Sequence, residues 1–311
     1  MFDFIAFPMG IVLKFIYHDI ALQNYGIAII FFTLIIKSLM LPLTIKQVQS
    51  TSKMGELQPQ MQEIQTKYKD DKEKQNAEMM KLYQENKINP AGGCLPLLAQ
   101  MPILFSLYYV ISQPLKYMAS KSPETITKLY ELIPKGTEKL ANMKDLSIIA
   151  YFTNHPEKLE SVSHLLKPED LLNMNFLGIN LGAVPVWNPG YYISPDADMH
   201  SFLLLLIPMM SALTSYLSAM YSMKSTEKTN EALRAKEEKT DEGKAQVFMQ
   251  KNMALLSPVM SGAIAFTVPA GLGLYWITGN VYQIAQQMFM NIFVLKKRAK
   301  TGSELRQTDM Q

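Results

Sequence analysis

One lysine stands apart before any element is assigned. Lys37 is the only charged residue in GIAIIFFTLIIKSLMLPLTI, the apolar run over 26–45, and it is the twelfth of those twenty residues. At 1.5 Å per helical residue it would lie roughly 18 Å into a hydrocarbon core of about 30 Å. An ammonium group at such a depth costs about 2.5–3.5 kcal/mol and usually faces a bundle interior or a watery cavity. The competing structural reading is that the side chain snorkels along its own stem toward the nearer surface. The chemistry on offer is attraction of an anion. Thr33 stands one turn earlier on the same helical face. Gln100, Ser211, Thr214, Ser215, Thr278, Asn280, Gln283, Gln286 and Gln287 occupy comparable places in other apolar runs. Each alone is ordinary interhelical glue. Together with a lysine, and with no acid in any of the runs, they predict a wet pocket of positive potential whose counter-ion comes from elsewhere.

Catalytic patterns are missing. There is no phosphate-cradling Gly loop followed by Lys-Ser/Thr, no His-Glu-x-x-His and no Gly-x-Ser-x-Gly. A single cysteine, Cys94, excludes an internal disulfide and a cysteine-based zinc site, and the four histidines form no ligand pair at helical spacing. The expectation is a protein that is not an enzyme and carries no cofactor or metal.

The elements that must position Lys37 follow from the charge distribution. The chain has 311 residues, of which 48% are hydrophobic and 18% charged, with a net charge of +3. Soluble domains carry about 25% charge, and here the windows 94–115 and 252–295 contain no charged residue at all. Mean hydropathy near zero averages greasy blocks with very polar ones, so an ordinary soluble globule is excluded. Five windows approach the roughly 20 apolar residues that a bilayer span needs. The sequence therefore predicts an all-α polytopic membrane protein with five core transmembrane helices, at 26–45, 93–115, 201–221, 252–269 and 271–295. The last two are joined by a tight turn at Pro269-Ala270. Residues 1–25 hold a short helix with Met9, Val12, Leu13, Ile16 and Ile20 on one face, too short to span and expected to lie as an N-terminal interfacial helix in the membrane surface, with simple packing on the bundle as the alternative.

Residues 46–92 are expected to form a helical hairpin with the seam Met54, Leu57, Met61, Ile64 and Tyr68, a turn near Asp70-Asp71, and a helix-breaking run from Asn89 to Gly93. Residues 116–200 are a cap segment with eight lysines against ten acids, 222–251 a charged loop, and 296–311 a basic tail. Lysines cluster on the hairpin, the charged loop and the tail. By the positive-inside rule these face the cytoplasm, which puts the N-terminus outside and the C-terminus inside; the 85-residue cap is long enough to be translocated regardless of its charge. The opening MFDFIAFPMG lacks a basic n-region, so targeting is expected to come from the spans themselves.

At this point two stretches resemble a known family. IAIIFFTLIIKSLMLPLTIKQ with LQPQMQEIQTKYKDDKEKQNAEMMKLYQENKINPAGGCLPLLAQMPILFSLYY is similar to the YidC/Oxa/Alb membrane protein insertases, and the similarity resumes at LLLLIPMMSAL and SPVMSGAIAFTVPAGLGLYWITGNVYQIAQQ. The chain resembles the shorter, Gram-positive-type members. The resemblance implies five core helices around a hydrophilic groove open to cytoplasm and lipid, through which nascent membrane proteins are inserted and helped to fold. It implies a substrate groove containing Lys37, where the family usually has Arg, together with Thr33, Gln100, Tyr275 and Trp276; Thr214, Asn280 and Gln283, polar residues in the apolar runs, are expected to line the same groove. The partners it implies are nascent membrane proteins, the lipid bilayer of the bacterial plasma membrane, the ribosome through 46–90 and 296–306, and the secretion channel. Two other readings compete: a small-anion transporter or channel using Lys37, and a non-catalytic partner of the secretion channel.

Overall fold

The computed structural model describes residues 2–88, 95–134, 143–194, 198–229, 256, 258–290 and 292, without the side chains of 51, 52, 56, 58, 95–99 and 224–229. Most of these residues are helical. In chain order the helices are α1 (Asp3–Phe15, running into a π-type turn at Ile16–Ile20), α2 (Tyr25–Leu39), α3 (Leu41–Glu56), α4 (Gln58–Lys67), α5 (Lys72–Glu85) and α6 (Leu95–Ser112). Then come the short α7 (Pro114–Tyr117), α8 (Pro123–Glu131), α9 (Lys144–Asn154) and α10 (Pro156–Leu159). A two-stranded antiparallel hairpin, β1 (Asn175–Phe176) and β2 (Ile179–Asn180), precedes α11 (Met199–Thr229), α12 (258–265) and α13 (Ala270–Phe289). The asparagine-to-glycine run at 89–94, most of the charged loop, the start of the fourth apolar window and the basic tail lie outside the described residues.

The chain divides into two compact units. The first contains residues 1–37, 100–215 and 258–280. Its core is one continuous apolar cluster in which Leu13, Tyr25, Phe32, Leu107, Leu115, Leu129, Leu146 and Leu181 are almost fully buried. α1 packs inward through Ala6, Met9, Gly10 and Leu13, where Gly10 lies so close to the Tyr117 carbonyl that no Cβ would fit. Asp3, at the start of the helix, accepts hydrogen bonds from the Tyr117 hydroxyl (2.6 Å) and the Lys116 ammonium (3.0 Å). Those two bonds hold its carboxyl below the usual carboxylate range. Phe4, Ile11 and Phe15 point outward and are more than half exposed. The expected single apolar face is thereby corrected. Met9, Leu13 and Ile16 are buried while Val12 and Ile20 are partly exposed, because the helix is apolar on two sides and the protein takes only one of them.

The cap residues form part of the same core. α9 buries Leu146, Ile148, Ile149 and Phe152. Asp145, 3% exposed in its first turn, accepts the Lys116 backbone amide at 3.0 Å. Burial pushes this carboxyl up to about 6, against the lowering effect of the amides of Lys116 and Leu115. Two carbonyls of the cap, Leu181 and Ala183, accept the backbone amides of Gly271 (2.8 Å) and Ala270 (2.9 Å). They satisfy first-turn amides of α13 that have no partner inside the helix.

The second unit contains residues 38–99, 216–257 and 281–311. Within it α4 and α5 run antiparallel: the Gln75 side chain donates to the Gln65 carbonyl at 3.0 Å, and Tyr83 Oη reaches Met61 Sδ at 3.8 Å. Asp71 caps α5 by accepting the Lys74 amide at 3.0 Å. Leu57 and Leu82 are buried.

Two features of the helices differ from the sequence expectation. The run 26–45 is not one helix, since α2 stops at Leu39 and α3 starts at Leu41. Pro42 stands in the first turn of α3, where its missing N–H and its ring cannot continue the preceding helix. α11 runs beyond the predicted 221 to Thr229. Among the described residues, Met199–Met223 is the one helix long and apolar enough to cross a membrane by itself, and α2 with α3 qualifies only as a broken pair.

Candidate functional site

Several of the residues singled out in the sequence lie on helices that meet α13 within the first unit. Four residues after Tyr275, on the same face, stands Gly279. A Cβ added there would meet Lys37 Cε at 3.3 Å and Nζ at 3.9 Å, so the lysine side chain lies across the space that the glycine leaves. Lys37 is half-buried in the last turn of α2. The carbonyls at a helix C-terminus carry partial negative charge, which favours a cation there by about 0.3–1 kcal/mol. Among the described residues no carboxylate pairs with it; the recorded ion pairs join Lys116 to Asp3, Lys121 to Asp170 and Lys167 to Glu169.

Tyr275 is buried and its hydroxyl accepts the Gln100 side-chain amide at 3.0 Å, which ties α6 to α13. Asn280 donates to the Thr214 hydroxyl at 3.2 Å, which ties α11 to α13. Thr214 in turn donates to the Met210 carbonyl at 2.7 Å. Thr33 is fully buried one turn before Lys37, but its hydroxyl is spent on the Ile29 carbonyl at 2.7 Å. Thr278 is spent likewise on Leu274 at 2.9 Å. Trp276 is half-buried on α13. Gln283 belongs to the second unit and is exposed.

Three residues adjacent in sequence to the expected ones gave no signal of their own, Gly279 in the first unit and Ser38 and Tyr282 in the second. Gly279 carried no polar signal. Ser38 and Tyr282, whose hydroxyls lie 3.1 Å apart in the second unit, looked like ordinary flanking residues. The Ser211–Ser261 hydroxyl contact at 2.9 Å joins α11 to α12, and Gly262 brings the two helices close, with its absent Cβ 3.1 Å from Ala212 Cβ. The first unit thus brings Lys37, Gln100, Tyr275, Thr214 and Asn280 onto helices packed around α13. Within this group Gln100 and Asn280 each donate an amide N–H to a neighbouring helix, and Lys37 is the one cation. The group contains no nucleophile–base pair, and among the described residues no group of three or more His, Cys, Asp or Glu converges on one point.

Residues 15–297 match the model of the family described as 60Kd inner membrane protein. A protein of Clostridium perfringens (strain 13 / Type A) named membrane protein insertase YidC is 34% identical over 278 residues, covering 89% of this chain and 82% of that one. A protein of the same name from Caldanaerobacter subterraneus subsp. tengcongensis is 30% identical over 297 residues, 96% of each chain. Another, from Oceanobacillus iheyensis, is 28% identical over 281 residues, covering 89% of this chain and 78% of its own.

Proposed function

We propose, from the premise that this chain belongs to the 60Kd inner membrane protein family, that it is a membrane protein insertase and chaperone of the bacterial plasma membrane. Its substrates are nascent membrane proteins, and the segments that cross the bilayer are the five apolar windows. The observation that carries the mechanism is the Lys37 ammonium lying across Gly279 without a carboxylate partner among the described residues. A short acidic tail of a substrate enters a hydrophilic groove open to cytoplasm and lipid and meets this charge, so the tail loses less on leaving water than it would in lipid. Gln100, Tyr275, Thr214 and Asn280 line the route, with Thr33, Trp276 and Gln283 at its margins.

The membrane potential, negative inside, assists an anion moving outward by about 2.3 kcal/mol per charge per 100 mV. Apolar residues that follow in the substrate gain about 0.3–0.6 kcal/mol each at mid-bilayer and draw the helix into lipid. No step needs a nucleotide or a metal. The N-terminus lies outside, with the outward face of α1 (Phe4, Ile11, Phe15) on the membrane surface. The α4–α5 pair and the basic tail are cytoplasmic, where they receive the chain from the ribosome or the secretion channel.

The test is insertion of a substrate with an acidic N-terminal tail into proteoliposomes. Lys37→Ala and Lys37→Glu should slow it by about tenfold or more, the ratio that about 1.4 kcal/mol of lost attraction produces, while Lys37→Arg retains activity. Equal rates for all three variants would remove the electrostatic role.

A further inference from the structure

Two leucines of the first unit occupy positions that disfavour leucine twice over. The turn between β1 and β2 is Leu177-Gly178, with φ of +53° and +81°. Positive φ at both central residues is the geometry of a type I′ turn, whose preferred pair is Asn-Gly. Leu177 places an ordinary side chain in left-handed backbone and is 82% exposed. Leu22, in the turn between α1 and α2, repeats the pattern: its φ is +51° and it is 88% exposed. In water each would combine backbone strain with bare apolar surface.

The two tips belong to one structure. Asn24 Nδ2 donates to the Asn175 carbonyl at 3.0 Å, the Tyr25 amide donates to the Asn173 carbonyl at 3.1 Å, and Gly26 lies directly against the Phe176 ring. Leu22 precedes the first residue of α2 by three. The Gly178 carbonyl lies 3.4 Å from His200 Nδ1 in the first turn of α11, and the side chain of Leu203 approaches Gly178. Both tips therefore stand at the N-terminal ends of two apolar helices, α2 and α11. Both helices also carry exposed apolar residues of their own, Met199, Phe202 and Met209 on α11 and Phe31 on α2.

We propose that Leu22 and Leu177 are paired lipid wedges, which enter the boundary between headgroups and acyl chains of the leaflet where α2 and α11 begin and tie the cap to the bilayer. The occupant is lipid because both leucines stand at the ends of apolar helices, one of which, α11, is long and apolar enough to cross a membrane, while Asp19, Asp198 and His200 beside them are exposed as polar groups facing a headgroup layer would be. The hairpin residues beside the tip, Asn175 and Asn180, are neutral amides. This inference rests on α11 being a membrane helix, which the experiment tests separately.

The experiment uses the full chain with Cys94→Ser, reconstituted in vesicles of phosphatidylglycerol and phosphatidylethanolamine. Single cysteines at 22, 177, 157 and 209 carry an environment-sensitive fluorophore. Quenching is compared between a nitroxide on the upper acyl chain and iodide in the water. The labels at 22 and 177 should be quenched several-fold more by the nitroxide than by iodide, and the label at the exposed Glu157 position of the cap should show the reverse. In the Leu177→Asn background, which keeps the turn in its preferred chemistry, the label at 22 should lose part of its nitroxide quenching. Iodide access at 22 and 177 equal to that at 157 overturns the wedge. Shielding from both quenchers also overturns it, in favour of a protein partner. If the label at Met209 escapes the nitroxide, the membrane reading of α11 fails as well; quenching at 209 without quenching at 22 and 177 sinks the wedge alone.

Discussion

At the scale of single residues, the proposed groove depends on an atom that is not there. Gly279 leaves room for the Lys37 side chain, and a methyl group would stand 3.3 Å from its Cε. Gly279→Ala should therefore displace the ammonium and slow insertion of acidic-tailed substrates several-fold. The same substitution in a Lys37→Ala background should have little further effect, and a double-mutant cycle on insertion rates measures the coupling. Additive losses would mean that Gly279 serves helix packing alone. Asp145 supports a second prediction, on stability. Its folded carboxyl titrates at about 6, above the usual 3.8, so the folded state binds the proton more tightly than the unfolded chain. The penalty for burying the charge is present in full above pH 6 and disappears as pH falls toward 3.8. By linkage it amounts to about 3 kcal/mol. Asp145→Asn removes this dependence. The stability difference between variant and parent, from denaturant unfolding in detergent, should shrink between pH 7 and pH 4; a difference constant over that range contradicts the argument.

At the scale of elements, α13 organises the site and α1 braces the unit that contains it. Gly10 allows α1 to touch the backbone of Tyr117, and no flexible side chain is available to move aside. Gly10→Ala should cost about 1–3 kcal/mol, as overpacking does, and should lower the thermal midpoint in detergent by several degrees. An unchanged midpoint would mean that α1 docks loosely. Much of this level was legible beforehand. Lys37, Gln100, Thr214 and Asn280 announced themselves as polar groups in apolar runs, and Tyr68-Lys69-Asp70-Asp71 marked a turn that falls where α4 ends and α5 begins. What stayed hidden depends on neighbours remote in sequence. The Gln100–Tyr275 bond joins residues 175 apart, and Thr33 looks available until its hydroxyl is seen bonded to its own helix. The break at Met40 had a visible sign in Pro42, overlooked because the apolar pattern runs straight through it. The second apolar face of α1 was missed because a count of residues on one face does not ask what covers the other.

At the scale of the whole molecule, the chain has apolar surface to spare. Phe4, Leu22, Leu177, Met199, Met209 and Val259 are each at least 63% exposed, a pattern that suits lipid and penalises water at about 25 cal/mol per Å². The division into two units gives a further prediction. Residues 52–86 lie wholly in the second unit. Deleting them should reduce insertion while leaving the unfolding transition of the first unit, followed by hydrogen exchange in α9, where it was. An unaffected insertion rate would leave α4 and α5 without a part in delivery. The joint between the cap and α13 has a different consequence. It is made by the carbonyls of Leu181 and Ala183 and the amides of Ala270 and Gly271, main chain on both sides. Its hydrogen bonds therefore do not depend on the chemistry of any side chain, and a change of polar residue in the cap cannot break them. Only a shift of backbone, such as a side chain at Gly271 pressing on Ile29 and Ile111 would cause, can move the helix beside Lys37 out of register.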